Sequence, residues 1–545
     1  MKKIILFVIC ACFLISPVYS SETQQEFQAR KAKELKEFQE KEAQKRKNYE
    51  QEQLKKYKNY KNKKQQEFDA YRRSVNEKFA ETMKKKWTKR TKQAAIPNPK
   101  RKEPPKPQTY TGKDVKQTIA VKLGYAKILK AESSDNPEPI APVVRMNAAG
   151  DPIMAGDPIM NRNAAGDPIM ASSDAEPAQT DFEQQYKFLY YGTTCKAHFF
   201  DSMRFSLPDV SEASVAEVWK KLSSENFDLL LADCFDLKED LRLGDWGYID
   251  MLRVMSEHFL GEESNEAVLL QMYVLAQSGY KVRLARSGDK LILLVPFRTD
   301  IYTYSYFLLG DGKKYYILDK ESRNQSRTYQ ILEESFPREK TASLKMPGTP
   351  KFGQEKGTDK IFQSRRYEDT FAQVVTNKNL IDFYNNYPVS SNWDDYVRTS
   401  LSDEIKNALY PALRAQINGK TKLEAANILI NFVQTAFNYQ TDQEQFGYER
   451  PLFGDEIFYY PYSDCEDRSI LFAILVRELL GLDVVLLNYP MHLATAVNFG
   501  DEEVFGYYFD LDGKKYVISD PTYINAPVGS CMPEFQNSSA KIINI

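Results

Sequence analysis

One order of elements occurs twice in this chain, and it limits the fold more than any single motif does. An apolar helical run, Ala267 to Ala276, is followed by Ser278-Gly279, alternating stretches near 280–285 and 291–296, and Gly312-Lys313-Lys314-Tyr315-Tyr316-Ile317-Leu318-Asp319. A second apolar run, Leu471 to Leu480, is followed by Gly481, alternating stretches at 483–488 and 492–498, and Gly513-Lys514-Lys515-Tyr516-Val517-Ile518-Ser519-Asp520. The two glycines after the helices lie 202 residues apart and the two closing aspartates 201. Matching order with matching spacing predicts a duplicated domain. Helices followed by short, alternating, turn-connected strands predict an α+β class with antiparallel pairing.

The second copy carries the chemistry. Ser463 and Glu466 have capping-box spacing just before the apolar run, which predicts Ser463 as N-cap and Cys465 at the second helical position. Ile470, Leu471, Ile474, Leu475 and Leu479 recur at helical intervals, and Gly481 suits the position past the helix end. Unpaired N–H groups in a first helical turn favour a thiolate. His492 opens the second strand, and Asp520-Pro521-Thr522 closes the fourth, so Cys465, His492 and Asp520 form a Cys-His-Asp series with separations of 27 and 28 residues. A thiol needs a base to take its proton, and the imidazole needs a carboxylate to fix its tautomer and stabilise its cation. Asp464, Glu466 and Asp467 act in the opposite sense, because carboxylates beside a thiol raise its pKa. In the first copy the cysteine position falls on Glu263 or Ser264 and the histidine position on Lys290 or Leu291, so only Asp319 of the three is retained.

Ser463-Asp464-Cys465 leading a helix, His492 leading a strand and Asp520-Pro521-Thr522 closing one resemble the transglutaminase-like superfamily of papain-like thiol enzymes. The resemblance covers roughly 375–530 and, in degraded form, 181–335. It implies an α+β fold with the cysteine helix on an antiparallel sheet, Cys465 as nucleophile, His492 as general base and then acid, and Asp520 as its orienting partner. Leu493 stands where the family often has an aromatic residue. An oxyanion donor is also required. The backbone N–H of Cys465 is one, and Tyr439, Gln440, Tyr459, Tyr460 and Tyr462 all stand as side-chain donors. The implied activity is attack on amide bonds of a protein or peptide substrate through a thioester, with hydrolysis favoured over transamidation. No cofactor is implied, and metal dependence is not expected, since the cysteines and three histidines show no zinc spacing. The competing reading is a non-catalytic envelope scaffold or binding protein that uses both folds for recognition.

The rest of the chain divides by composition. Lys2 and Lys3, an apolar stretch and Val18-Tyr19-Ser20 read as a signal peptide over 1–20, hence as export to the periplasm, cell surface or medium. Lipid anchoring at Cys12 is disfavoured because the apolar run continues past it. Residues 21–95 predict a long charged helix or coiled coil: Phe27, Phe38, Tyr49, Tyr60 and Tyr71 recur every eleven residues, with a second row at Leu35, Tyr57, Phe68 and Phe79. Self-association and contact of this basic segment with an envelope surface are the partner roles it suggests. A near-neutral total, formally −1, argues against a nucleic-acid function. Residues 96–180, with Pro-rich stretches and three Gly-Asp-Pro-Ile-Met repeats, read as linker. The degenerate domain is expected over 181–345, a connection over 346–370, and the domain with the triad over 371–545. Cys195 and Cys234 read as packing or disulfide residues, and His198 and His258 as structural.

Overall fold

A computed structural model describes residues 69–99, 107–111, 185–224, 227–318, 328–390 and 392–545, together with scattered helical positions from 30 to 67 and a short ladder between Asn161–Arg162 and Pro168–Ile169. The signal peptide, Cys12, the Phe27, Leu35, Phe38, Tyr49, Tyr57, Tyr60 and Phe68 positions of the eleven-residue pattern, most of the Gly-Asp-Pro-Ile-Met repeats and Asp319 lie outside the described residues. Residues 1–71 and 72–545 form separate compact units. Among the described residues, no helix is long and apolar enough to cross a membrane.

The charged N-terminal segment does not stay helical to residue 95. Helix gives way after Met83, and β1 (Thr88–Thr91) follows. Phe79, Ala80, Met83 and Trp87 are buried, and Phe79 packs against Trp219 and Phe336 at centroid distances of 5.0 and 5.2 Å. One face of this helix end therefore belongs to the globular core, which sets its length in place of the eleven-residue repeat.

A hairpin of β2 (Tyr186–Tyr190) and β3 (Thr193–Ala197) leads into four helices: α1 (Glu212–Ser224), α2 (Asp228–Asp240), α3 (Asp245–Leu260) and α4 (Asn265–Gln277). Ser264 caps α4 by accepting from the N–H of Ala267 at 3.1 Å. Then come β4 (Arg283–Ser287), β5 (Lys290–Pro296), β6 (Tyr306–Leu308), β7 (Lys314–Ile317) and β8 (Thr328–Leu332). With β1 they form an antiparallel sheet in the order β1-β8-β4-β5-β7-β6.

The segment expected as a connection is structured: β9 (Lys356–Gln363) pairs with β10 (Phe371–Asn377), and Phe352 and Phe362 are buried. Helices α5 (Lys378–Asn386), α6 (Trp393–Val397), α7 (Asp403–Ile417) and α8 (Lys422–Ala436) follow. Two short strands, β11 (Asn438–Tyr439) and β12 (Tyr462–Ser463), pair in parallel, setting Tyr439 opposite Ser463. Helix α9 (Cys465–Leu475) widens to a π turn before Gly481, which takes a left-handed φ of 63°. It leads to β13 (Val484–Tyr489), β14 (His492–Asn498), β15 (Tyr508–Leu511), β16 (Lys514–Ser519) and β17 (Lys541–Asn544), in the order β15-β16-β14-β13-β17. Both faces of β13 and β14 are covered, which explains their nearly continuous apolar runs.

Without β1, the first sheet reads β8-β4-β5-β7-β6 and the second β17-β13-β14-β16-β15, the same order of connection after the helix. The correspondence reaches single residues. Lys290 opens β5 opposite Ser287, and His492 opens β14 opposite Tyr489, each pair flanking a two-residue turn. At the helix start the equivalent of Cys465 is Asn265 rather than Glu263 or Ser264, since each is the first residue of its helix. The halves are not separate bodies. One apolar cluster runs from Phe79 and Trp219 through Phe352 and Phe383 to Leu471 and Val517.

Candidate functional site

The cysteine helix starts one residue later than its capping signal predicts. Asp464, not Ser463, is the N-cap, and Asp467, not Glu466, reaches back to accept the Asp464 N–H at 3.1 Å. Asp and Ser are about equally good N-caps, so sequence spacing left the register open by one. Ser463 is instead held in β12, where its hydroxyl accepts from Arg468 Nε at 3.3 Å. Cys465 therefore occupies the first helical position, fully buried, with its Sγ donating to Glu466 Oε2 at 3.0 Å.

Helix α9 packs on β14, and Ser469, one turn beyond Cys465, donates its hydroxyl to the carbonyl of Leu493 at 2.9 Å. This contact ties the face of α9 that carries Cys465 to the start of the strand that His492 opens. His492 Nε2 lies 2.8 Å from Asp520 Oδ2, both side chains being buried. The other Asp520 oxygen accepts the Thr522 N–H at 2.9 Å, so the Asp-Pro-Thr turn orients the carboxylate through its own backbone. Gln434 of α8 fixes this loop, donating Nε2 to the carbonyls of Asp520 and Ala526 at 3.1 and 3.0 Å. Phe535 stacks on the His492 ring at 4.8 Å between centroids and 13° between planes. With Nε2 engaged by the carboxylate, Nδ1 is the ring atom that serves any third group.

Tyr439 separates from the other aromatic oxyanion donors. Pairing with Ser463 sets it beside the loop that carries Cys465, and its hydroxyl is buried without a partner. Burial, then the nearby Cys465 and Asp464, push its ionisation far above the usual tyrosine range, so it remains a neutral O–H donor. Arg468 lies against the Tyr439 ring, 5.2 Å from its centroid, and donates to the carbonyls of Gln434 and Phe437 at 3.3 and 2.8 Å. Burial lowers this guanidinium to about 10.

The acidic residues around Cys465 do not point away into solvent. Asp464, Glu466 and Asp467 are buried and converge with Asp442 from a short helix, Asp442–Gln445. Desolvation first, then mutual repulsion, raises Asp442 and Asp464 well above the usual carboxylate range and Asp467 to about 7. Among the described residues, the groups of ligating side chains close enough to share an ion all fall here: Asp464-Cys465-Glu466, Asp442-Asp464-Asp467 and Asp442-Glu449-Glu466, each with ligand atoms within 4.8 Å. Cysteine and histidine spacing gave no hint of this set. Asp442 reads in sequence as an ordinary first-turn acid behind the capping pair Thr441 and Glu444.

Cys195, Cys234, Cys465 and Cys531 are all buried free thiols, so neither a Cys195–Cys234 nor a Cys465–Cys531 bridge forms. Burial pushes Cys195 up to about 11 and Cys531 up to about 12, as expected of packing thiols. His198 bonds Asp233 at 2.8 Å, and His258 faces the Tyr186 hydroxyl at 2.7 Å.

A five-residue piece of the segment expected to be linker docks beside the site. Tyr110 N–H donates to the Ile524 carbonyl at 2.8 Å, and Ile524 N–H to the Gln108 carbonyl at 2.9 Å. Gln108 Nε2 reaches Glu534 at 2.8 Å, next to Phe535, and Tyr110 meets Tyr523 edge-on at 5.5 Å. Comparison with protein-family models, curated proteins and solved structures finds no match to this chain.

Proposed function

We propose that this chain is an exported transglutaminase-like thiol enzyme that attacks amide bonds of proteins or peptides, with water resolving the thioester. The observation that carries the reading is the buried His492–Asp520 pair at 2.8 Å, on a strand whose first residues are bonded to the helix that Cys465 begins. In the proposed reaction His492 Nδ1 takes the Cys465 proton while Asp520 holds Nε2–H and stabilises the imidazolium. The thiolate adds to the carbonyl carbon, and the oxyanion is met by the Cys465 backbone N–H and the Tyr439 hydroxyl. The imidazolium then protonates the leaving amine. In the second half, water gives its proton to His492 and its oxygen to the acyl carbon, which restores the thiol.

The shared strand order supports the proposal that residues from about 181 to 345 are a second copy of the same fold. There Asn265 and Lys290 stand at the thiol and imidazole positions, so this copy lacks a nucleophile and base. A non-catalytic binding role is the second reading, and one observation favours it: Cys465, His492 and Asp520 are 0, 1 and 4 % exposed. Catalysis therefore requires an opening over the triad, and Phe535, stacked on His492, is one group that would have to move.

The deciding experiment is the pH dependence of iodoacetamide labelling at Cys465 in the full chain and in His492→Ala, with the adduct located by peptide mass. Labelling well below the ordinary thiol pKa of about 8.5 that slows in the variant supports an imidazole-activated thiolate. An ordinary thiol profile in both proteins supports the binding reading.

A further inference from the structure

Cys465 and His492 are buried in the second half, whereas the corresponding region of the first half borders a cavity. A cavity of about 300 Å³ opens there, within the size range of ligand sites. Its walls include Lys290 at the start of β5, the place that corresponds to His492 in the other half, together with Glu263 at the approach to α4 and Leu318 just beyond β7. Trp246, Ile249, Val268, Leu291 and Leu293 give it an apolar lining. Trp246 is only 4 % exposed, and its indole N–H has no hydrogen-bond partner. A buried donor left unmade is costly, and a carbonyl oxygen would satisfy it once the indole turns its N–H toward the cavity.

The lining is acidic on balance, four carboxylates against two cations. The charged lining residues are Asp250, Glu257, Glu262 and Glu263 against Arg253 and Lys290. Arg253 is consumed internally, donating to Asp250 at 2.9 Å and Glu257 at 2.7 Å. Lys290 donates to the backbone carbonyl of Glu263 at 3.2 Å. Asp250 and Glu257 share the one guanidinium of Arg253, so this group of two acids is short of one positive charge.

We propose that this cavity binds an extended peptide segment through a lysine or arginine side chain. The aliphatic stem lies along Trp246, Ile249 and Leu291, the cation sits among Glu257, Glu262 and Glu263, and a peptide carbonyl accepts the Trp246 N–H. A free alkyl amine offers the same stem and cation but no carbonyl, which is why the peptide is the assigned source. The site needs no chemistry at Cys465, so it stands whether or not the thiol is catalytic.

The test is isothermal titration of the full chain with three probes: a blocked pentapeptide with a central lysine, its norleucine counterpart, and 1,5-diaminopentane. The lysine peptide is expected to bind at least about tenfold more tightly than either of the others, which is roughly one charge-pair's worth of free energy. Glu262→Gln with Glu263→Gln, both at exposed positions, is expected to weaken it about tenfold, and Val268→Trp, which fills the cavity, to abolish it. Cys465→Ala is expected to leave it unchanged. Unchanged thermal unfolding certifies that each variant is folded. No binding of the lysine peptide, equal binding of norleucine, or undiminished binding to the folded Val268→Trp variant overturns the site. Diaminopentane binding as tightly as the peptide overturns the peptide as its source.

Discussion

The ring of Phe535 lies nearly parallel to the imidazole of His492, 4.8 Å away, and covers one face of it. Phe535→Ala is expected to expose His492 and speed alkylation of Cys465 several-fold at fixed pH, while costing about 3 kcal/mol of stability through the cavity it leaves. Urea unfolding and timed labelling check the two effects separately. An unchanged labelling rate in a destabilised protein would show that the cover lies elsewhere.

Asp520→Asn keeps the shape of the orienting group but not its charge. Under the proposed mechanism it is expected to lower turnover by about 10⁴, the size of effect seen when a triad carboxylate is neutralised. It is also expected to move the labelling profile of Cys465 toward that of His492→Ala. A variant that labels like the wild type would mean that the 2.8 Å pair is only structural.

Raised carboxyls give stability a definite pH trend. A carboxyl whose folded pKa lies above its unfolded value stabilises the fold at low pH, and that contribution disappears as pH rises through the folded pKa. Asp467 and Asp455 are raised to about 7 and Asp395 to about 6, each mainly by burial. Between about pH 4 and 7 the chain is therefore expected to lose stability as pH rises, by an amount on the order of 1–2 kcal/mol at least. Urea midpoints at pH 5.5 and 8 in a chelating buffer give the sign. A higher midpoint at pH 8 would refute it.

The docked segment is short and is held by two backbone hydrogen bonds to Ile524, the Gln108–Glu534 bond and packing of Tyr110, so it is expected to release locally rather than with the whole fold. Tyr110→Ala with Gln108→Ala should increase limited proteolysis between residues 100 and 115 and leave the main thermal transition within a degree or two, since one edge-on aromatic pair contributes about 0.5–1.5 kcal/mol. A large downward shift in Tm would mean that these residues are part of the core.

What the sequence made legible was local. Helix α9, the positive-φ Gly481, and strands β13, β14 and β16 follow from apolar spacing, capping residues and turns, and they lie within a residue or two of expectation. The strand order shared by the two halves is anticipated by the spacing of Gly279, Gly481 and the two Gly-Lys-Lys-Tyr strings. Long-range convergence was not legible. Asp442 joins the acids of α9 only through the fold, Phe535 reaches His492 from the C-terminal tail, and Thr88–Thr91 reads as charged helix because an edge strand needs little hydrophobicity. Asp464 displaced Ser463 as cap because both types fit and β12 claims the serine.

The seating of β1 against β8, and of residues 108–110 against Ile524, imposes an order of assembly on the emerging polypeptide. Each of these early segments leaves the ribosome long before its partner is made, so it waits as an unpaired edge. Thr88-Lys89-Arg90-Thr91 is suited to that wait: its cations discourage the edge-to-edge association that an apolar strand would invite. The strongly basic character of this region therefore protects the nascent chain, quite apart from any surface it touches once folded.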